Sequence, residues 1–353
     1  MAKIPVGILG ATGMVGQRFI QLLESHPWFE VAWLAASERS AGQRYGDVVR
    51  WKLASQLPPR VADLTVNGAP PESWSSQPPR VIFAALDSKV AAEIEPAYVA
   101  SGCAVISNSS ALRMHPDVPL LIPEVNAEHL GLLEQQASWT LNKGFAVTNP
   151  NCTATGLTIA LAPLHRAFGV DKVFVTSMQA VSGAGYPGVA SLDILGNVVP
   201  FISGEEEKME VEAQKMLGEL HDGNVQPAGF VLSAHCNRVA VEDGHTESVS
   251  IKLRKSASRE EVLRCWREFS GEPQALQLPS APEKVIEYLE QPDRPQPRLD
   301  AYIGKGMTTV VGRLRPCKLF DWKFTVLSHN TIRGAAGAAI LNAELLHARG
   351  MLA

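Results

Sequence analysis

The segment Ile4-Pro-Val-Gly-Ile-Leu-Gly-Ala-Thr-Gly-Met-Val-Gly16 constrains this chain more than any other. Ile4 to Leu9 has the short apolar run of a buried strand, and beyond Gly16 the apolar positions Phe19, Ile20, Leu22 and Leu23 recur at helical spacing. Val31 to Ala35 then reads as a second strand. Strand, Gly-rich turn, helix and strand in that order make a parallel βαβ unit, and sheets built from such units bind ligands at the carboxyl ends of their strands. Small residues in the turn let backbone N–H groups approach a pyrophosphate, and the helix N-terminus adds its positive end. The spacing Gly10-x-x-Gly13-x-x-Gly16 departs from the G-x-G-x-x-G fingerprint, and a tight turn without a ligand would also explain the glycines. After the second strand comes Ser37-Glu38-Arg39-Ser40. Arg39 suits the ribose 2′-phosphate of NADP, while Glu38 leaves NAD open.

The remainder reads as two domains, which 353 residues are enough to fill. Val81 to Ala85 and Ala104 to Ser107 repeat the strand signal around a helical stretch from Lys89 to Ala100. Three proline pairs, Pro58-Pro59, Pro70-Pro71 and Pro78-Pro79, mark an irregular excursion before the third of these strands. From Asp171 onward longer β-rich runs follow, Lys172 to Val181, Glu247 to Leu253 and Thr308 to Leu314, interrupted by a helical Gly204 to Glu219. That change of pattern predicts a second, α+β domain. Pro279 to Pro297 reads as a surface connection within it. Asn330 to Arg349, rich in Ala and Leu and without Pro, reads as a long helix returning to the first domain.

Charge and cysteine usage narrow the function. With Lys+Arg 32 against Asp+Glu 36, no global positive field exists to hold nucleic acid or an anionic membrane, so an anionic substrate must be caught locally. No apolar run approaches a spanning helix. The opening residues lack the longer apolar region and cleavage site of a signal peptide. Cys103, Cys152, Cys236, Cys265 and Cys317 form no C-x-x-C pair, which argues against a disulfide framework or zinc ribbon and for reduced thiols in a cytoplasm.

One cysteine stands apart. Asn149-Pro-Asn-Cys152-Thr follows a short strand ending Phe145-Ala-Val-Thr148 and precedes a helical run from Gly156 to Phe168. A thiol at a helix N-terminus is expected to have a lowered pKa, which makes Cys152 the candidate nucleophile; the other four read as buried apolar residues. In Asn237-Arg238-Val-Ala-Val-Glu-Asp-Gly-His245 a guanidinium and an imidazole stand seven residues apart across a Gly-containing turn. Arg can clamp a carboxylate and His can accept a thiol proton, although either residue is as often on the surface. The run Gly204-Glu-Glu-Glu-Lys208-Met-Glu would oppose a helix dipole, most of its charges reading as a solvated face. Met178-Gln179-Ala-Val-Ser182-Gly183-Ala-Gly185-Tyr-Pro187 is a flexible loop after a strand, where a ligand or a plain turn would both suit the glycines.

Taken in order, these segments resemble the aspartate-β-semialdehyde dehydrogenase family over nearly the whole chain, from Val6 through the Asn330 helix. The Ser-Gly-Ala-Gly-Tyr-Pro-Gly and Gly-Glu-Glu-Glu-Lys-Met-Glu segments look most like its branch in archaea, fungi and some bacteria. The resemblance implies a Rossmann-type doubly wound NADP-binding domain over 1–149, completed by a C-terminal helix at 330–353. It also implies an α+β mixed-sheet catalytic and dimerisation domain over 150–329, and a cytoplasmic homodimer or homotetramer. It places the nucleophile on Cys152, the acid/base histidine on His245 and the residue orienting the acyl group on Gln179. Arg238 would grip the substrate α-carboxylate, Arg113 and Lys208 the phosphate, and Glu205 the ammonium. Cofactor contacts would be Gly10, Thr12, Gly13, Met14, Val15, Arg39, Ser40, Ser182, Gly183 and Asn330, with NADP(H) as cofactor and no metal.

The implied reaction is reduction of L-aspartyl-4-phosphate to L-aspartate 4-semialdehyde and phosphate, in biosynthesis of lysine, threonine, methionine and isoleucine. A Cys152 thioester is its intermediate, and amides at the start of that helix would hold the oxyanion. A sister reductase on the same scaffold, taking malonyl-CoA or N-acetyl-glutamyl phosphate, would differ only in its substrate contacts. A non-catalytic NADP-binding regulator would be expected to lack Cys152 or His245.

Overall fold

The computed structural model describes residues 2–352. Six parallel strands form one sheet: β1 (Ile4–Leu9), β2 (Phe29–Ala36), β3 (Val66–Gly68), β4 (Val81–Ala84), β5 (Ala104–Ser107) and β6 (Phe145–Thr148). Their order is β3-β2-β1-β4-β5-β6, so the winding reverses between β1 and β4 and opens a crevice at the strand ends. Both faces are covered. The Met14–Leu23 and Gly337–Ala348 helices pack Phe19, Ile20, Leu341 and Leu345 onto one face, and the Ser88–Ala100 helix brings Tyr98 to the other. This is why β4 and β5, buried at every position, are apolar apart from Ser107 at the end of β5.

The remaining strands are β7 (Val170–Gln179), β8 (Val198–Val199), a hairpin of β9 (Glu219–His221) and β10 (Asn224–Gln226), then β11 (Val231–Val239), β12 (His245–Leu253), β13 (Ile286–Leu289), β14 (Thr309–Pro316) and β15 (Trp322–Ser328). Seven of them form a mixed sheet in the order β13-β14-β15-β12-β7-β11-β8. Inward residues alternate strictly along β12, packing on the Cys152–Phe168, Glu205–Met216 and Arg259–Arg267 helices. The opposite face is open, with Phe174 and Val231 40% and 64% exposed. Among the described residues no helix is long and apolar enough to cross a membrane.

Arg238 and His245, on either side of the Gly-containing turn, sit on strands that β7 separates, pairing with both. Two local expectations change. Pro279 to Pro297 is more than a connection: its Pro-free centre, Ile286–Leu289, adds an edge strand parallel to β14. The C-terminal helix does not run unbroken from Asn330, for a π-helical turn at Ile332–Ala336 precedes Gly337–Ala348. That turn presses on the Cys152 helix, where a β-carbon on Gly334 would lie 2.6 Å from Cys152 Cβ.

Candidate active site

The crevice at the β1/β4 reversal opens into a cavity of about 620 Å³. Gly10, Thr12, Gly13, Met14 and Val15 line one end, Cys152, Arg113 and Asn151 the other, with Ser182, Gly183 and Asn330 alongside. The turn is tight for a physical reason. Gly10 has φ +87° and a β-carbon there would meet Ala85 O at 2.4 Å, while one on Gly16 would meet Gly10 O at 2.3 Å. Bare backbone therefore forms the wall, as a dinucleotide phosphate requires.

A second cavity, about 700 Å³, shares Thr12 and Ser37 with the first and carries Arg39, Ser40, Arg50 and Lys52. None of these three cations makes an ion pair among the described residues. Uncompensated positive charge beside a nucleotide cleft fits a 2′-phosphate, so the residues present suit NADP. Lys52 also lies 4.4 Å from the ring centroid of Tyr186, tying the Gly-rich loop to the first sheet. Arg50 and Lys52 were invisible in sequence because they fall in the irregular excursion after β2.

At the other end, four elements converge. Cys152 begins its helix with Asn151 as N-cap, and Asn151 Oδ1 accepts from the amides of Thr153 at 2.9 Å and Ala154 at 3.0 Å. These amides, expected to hold an oxyanion, are thus occupied, and only that of Cys152 remains at this helix start. Cys152 Sγ lies 3.2 Å from Nε2 of His245, the first residue of β12. Gln179 ends β7 beside them and pairs in register with Arg238 on β11. Arg238 donates to Ala180 O at 2.7 Å, and the Ala180 amide donates to His245 Nδ1 at 3.0 Å. Gly183 sits against this pair, where a β-carbon would be 3.0 Å from both Arg238 Nη1 and His245 Cε1.

The electrostatics reverse one expectation. Burial, reinforced by the nearby Glu205 carboxylate, pushes the Cys152 thiol up to about 12, overriding the helix start. Burial, with the positive charges of Arg238 and His329, takes His245 down to about 3.

The acidic helix contributes more than a solvated face. Glu205 and Glu212 are buried, seven residues and about two turns apart on the side facing Cys152. Glu205 accepts from Asn151 Nδ2 at 2.8 Å. Glu212 accepts from the Asn151 amide at 2.6 Å and pairs with Arg113 Nη1 at 2.9 Å. Glu212 was missed in sequence, although its spacing from Glu205 was the available signal. Lys208 stands at the open edge, 3.9 Å from Glu205 Oε2, and does not line the cavity. Asn330 donates to Ser182 Oγ at 2.8 Å, which in turn donates to Asp243 at 2.7 Å.

Comparison with known proteins identifies the family. Family models for semialdehyde dehydrogenases match twice, the NAD binding domain over residues 5–133 and the dimerisation domain over residues 161–333. The aspartate-semialdehyde dehydrogenase of Methanothermobacter thermautotrophicus is 50% identical over 98% of this chain and 99% of its own. The chain belongs to the aspartate-semialdehyde dehydrogenase family. The enzyme of Cryptococcus neoformans is 47% identical over 99% of this chain and 98% of its own. A crystal structure of the Candida albicans aspartate semialdehyde dehydrogenase with NADP superposes with a TM-score of 0.90 at 44% identity, covering 98% of this chain and 99% of that one. Archaeal and fungal members therefore both resemble it closely, as the Ser182 to Gly188 and Gly204 to Glu210 segments led one to expect. The α/β architecture, a parallel nucleotide-binding sheet plus a mixed sheet, is that of the family.

Proposed function

We propose that this protein reduces L-aspartyl-4-phosphate to L-aspartate 4-semialdehyde with NADPH, releasing phosphate, in amino-acid biosynthesis leading to lysine, threonine, methionine and isoleucine. The observation that carries the reading is the Cys152–His245 pair, 3.2 Å apart at the inner end of a dinucleotide-shaped cleft. Bound along Gly10 to Val15, with its 2′-phosphate at Arg39 and Ser40 and its nicotinamide near Ser182, Gly183 and Asn330, NADPH supplies the hydride. Cys152 attacks the acyl carbon, and departure of phosphate leaves a thioester. Gln179 orients the acyl oxygen, and His245 meets the sulfur through Nε2. Arg238 takes the α-carboxylate by its free nitrogens, Glu205 the ammonium, and Arg113 with Lys208 the phosphoryl group. Arg113 is held in place for this by Glu212.

Two buried cations and an acid-lined wall suit a substrate with a carboxylate, a phosphate and an ammonium, which a CoA ester or an N-acetylated substrate does not offer together. The open face of the mixed sheet, with Phe174 and Val231 exposed, serves self-association as a homodimer or homotetramer in the cytoplasm. The test is NADPH formation from L-aspartate semialdehyde, phosphate and NADP, with NAD run alongside. Phosphate-dependent turnover abolished by Cys152→Ala is expected. Turnover of malonyl-CoA with NADPH in its place would move the protein to the sister reductase.

A further inference from the structure

We propose that Asp243 is a positioning residue for cofactor recognition. It draws the Ser182 hydroxyl proton to itself, so that Ser182 faces the cleft as a hydrogen-bond acceptor and selects a cofactor ring bearing an N–H donor. The placement of the nicotinamide near Ser182 and Asn330 rests on the proposed reaction, and its carboxamide supplies that donor. The direction of the hydrogen bonds around Asp243 stands on geometry alone.

The main chain fixes that direction at its start. The Gly244 amide can only donate, and it meets the Asn330 side chain at 2.9 Å, so the atom facing it is Oδ1. Asn330 Nδ2 then faces Ser182 Oγ at 2.8 Å and donates to it. A serine hydroxyl has one proton and two lone pairs. With one lone pair taken by Asn330, the proton goes to Asp243 Oδ1 at 2.7 Å, because a carboxylate offers only acceptors. The second lone pair of Ser182 has no partner among the described residues. Ser182 and Asn330 both line the cleft that ends at Cys152.

The surroundings of Asp243 hold it to this task. Asp243 lies in the turn between β11 and β12, and its Oδ2 accepts from the Tyr302 hydroxyl at 3.1 Å. The same oxygen lies 3.8 Å from Arg18 Nη2, on the helix that follows the β1 turn. With Oδ2 engaged, Oδ1 stays aimed at Ser182. Main-chain bonds tie the Gly-rich loop to the same turn, Val181 N donating to Val241 O at 2.8 Å and Ser182 N to Glu242 O at 3.2 Å. Ser182 therefore answers a ligand only by rotating its hydroxyl, and Asp243 opposes that rotation. A ring substituent carrying an acceptor alone would meet Ser182 lone pair against lone pair.

Three oxidised cofactors separate the two polarities. NADP carries a carboxamide with donor and acceptor. Its thionicotinamide analogue keeps the NH2 donor and has a weaker acceptor, whereas its 3-acetylpyridine analogue has the acceptor and no donor. Titrated into wild type by isothermal calorimetry, NADP and the thio analogue are expected to bind within about threefold of each other. The acetyl analogue is expected to bind about tenfold more weakly than NADP, one hydrogen bond lost with its acceptor left unpaired. In Asp243→Ala the Ser182 proton is free to turn to the acetyl oxygen, and that penalty is expected to fall below about twofold. A wild type that binds the acetyl analogue as well as NADP, or penalises the thio analogue instead, would overturn the proposal. That comparison needs no variant, so it decides even where Asp243→Ala does not fold. An Asp243→Ala protein that keeps the tenfold penalty, with all three cofactors weakened alike or not at all, would overturn it too. Failure of the wild type to turn over aspartate semialdehyde with phosphate and NADP would reject the proposed reaction and leave the order of binding to judge Asp243.

Discussion

The two ends of the cleft are built on opposite principles. The nucleotide end is backbone and solvent: glycines at the β1 turn, then Arg39, Arg50 and Lys52, all exposed and without ion-pair partners among the described residues. The reaction end is packed, and its key side chains are held by specific partners. His245 is bonded on both nitrogens, Arg238 is pinned to Ala180, and Arg113 and Asn151 are held by Glu212. Exposed charges adapt to an incoming anion and are screened by salt, whereas buried groups act only in the geometry their partners impose. Substitutions should therefore cost little and add up at one end, and cost much and fail to add at the other.

Removing the nucleophile is the harshest test of that contrast. Cys152→Ser is expected to lower turnover by about three or more orders of magnitude, as loss of a nucleophile does elsewhere. NADPH binding, followed by its fluorescence, should be almost unaffected; loss of binding would mean the two ends are not separate. Next comes geometry without chemistry. Gly334→Ala puts a methyl group 2.6 Å from Cys152 Cβ and must displace the helix start. A shift of that order is expected to reduce kcat about a hundredfold, with KM for NADP little changed.

At the nucleotide end, Arg50→Met and Lys52→Met should each weaken NADP about five- to tenfold, one charge-assisted contact apiece, and leave NAD untouched. Both losses should shrink in high salt. Equal weakening of NAD would remove these cations from the 2′-phosphate. The smallest expected effect concerns Glu247, which is fully buried behind His245 on β12 with neither carboxyl oxygen hydrogen-bonded among the described residues. Burial holds its carboxyl well above the usual range. A group raised in the folded state stabilises fully below its unfolded pKa near 4.5 and loses that contribution as pH rises toward its folded value. Wild type should thus lose thermal stability as pH rises from 4.5 to 8, and Glu247→Gln should flatten that slope; an identical slope would place the cost elsewhere.

What the sequence disclosed follows the same division. The β1 turn was legible because strand, glycines and helix are contiguous, so local sterics decide them. Cys152 stood out by its flanks and helix start, but the direction of its pKa did not, since the helix start is local while the burial and the Glu205 charge that override it come from segments distant in the chain. The insertion of β7 between the strands that carry Arg238 and His245 leaves no mark between residues 238 and 245. Glu212 and Lys215 passed unremarked, yet both are buried by contacts to residues about sixty to a hundred positions earlier in the chain. Non-local pairing is what a single sequence hides, and the reaction end consists of little else.

The central claim, that a cysteine at the end of a dinucleotide cleft carries the acyl group, is tested most directly by trapping that group. Protein incubated with L-aspartate semialdehyde and NADP, with phosphate left out, would be digested and its peptides weighed. An aspartyl mass on the Cys152 peptide, released when phosphate is added, is the expected result. An unmodified Cys152, or an adduct on another residue, would contradict the account.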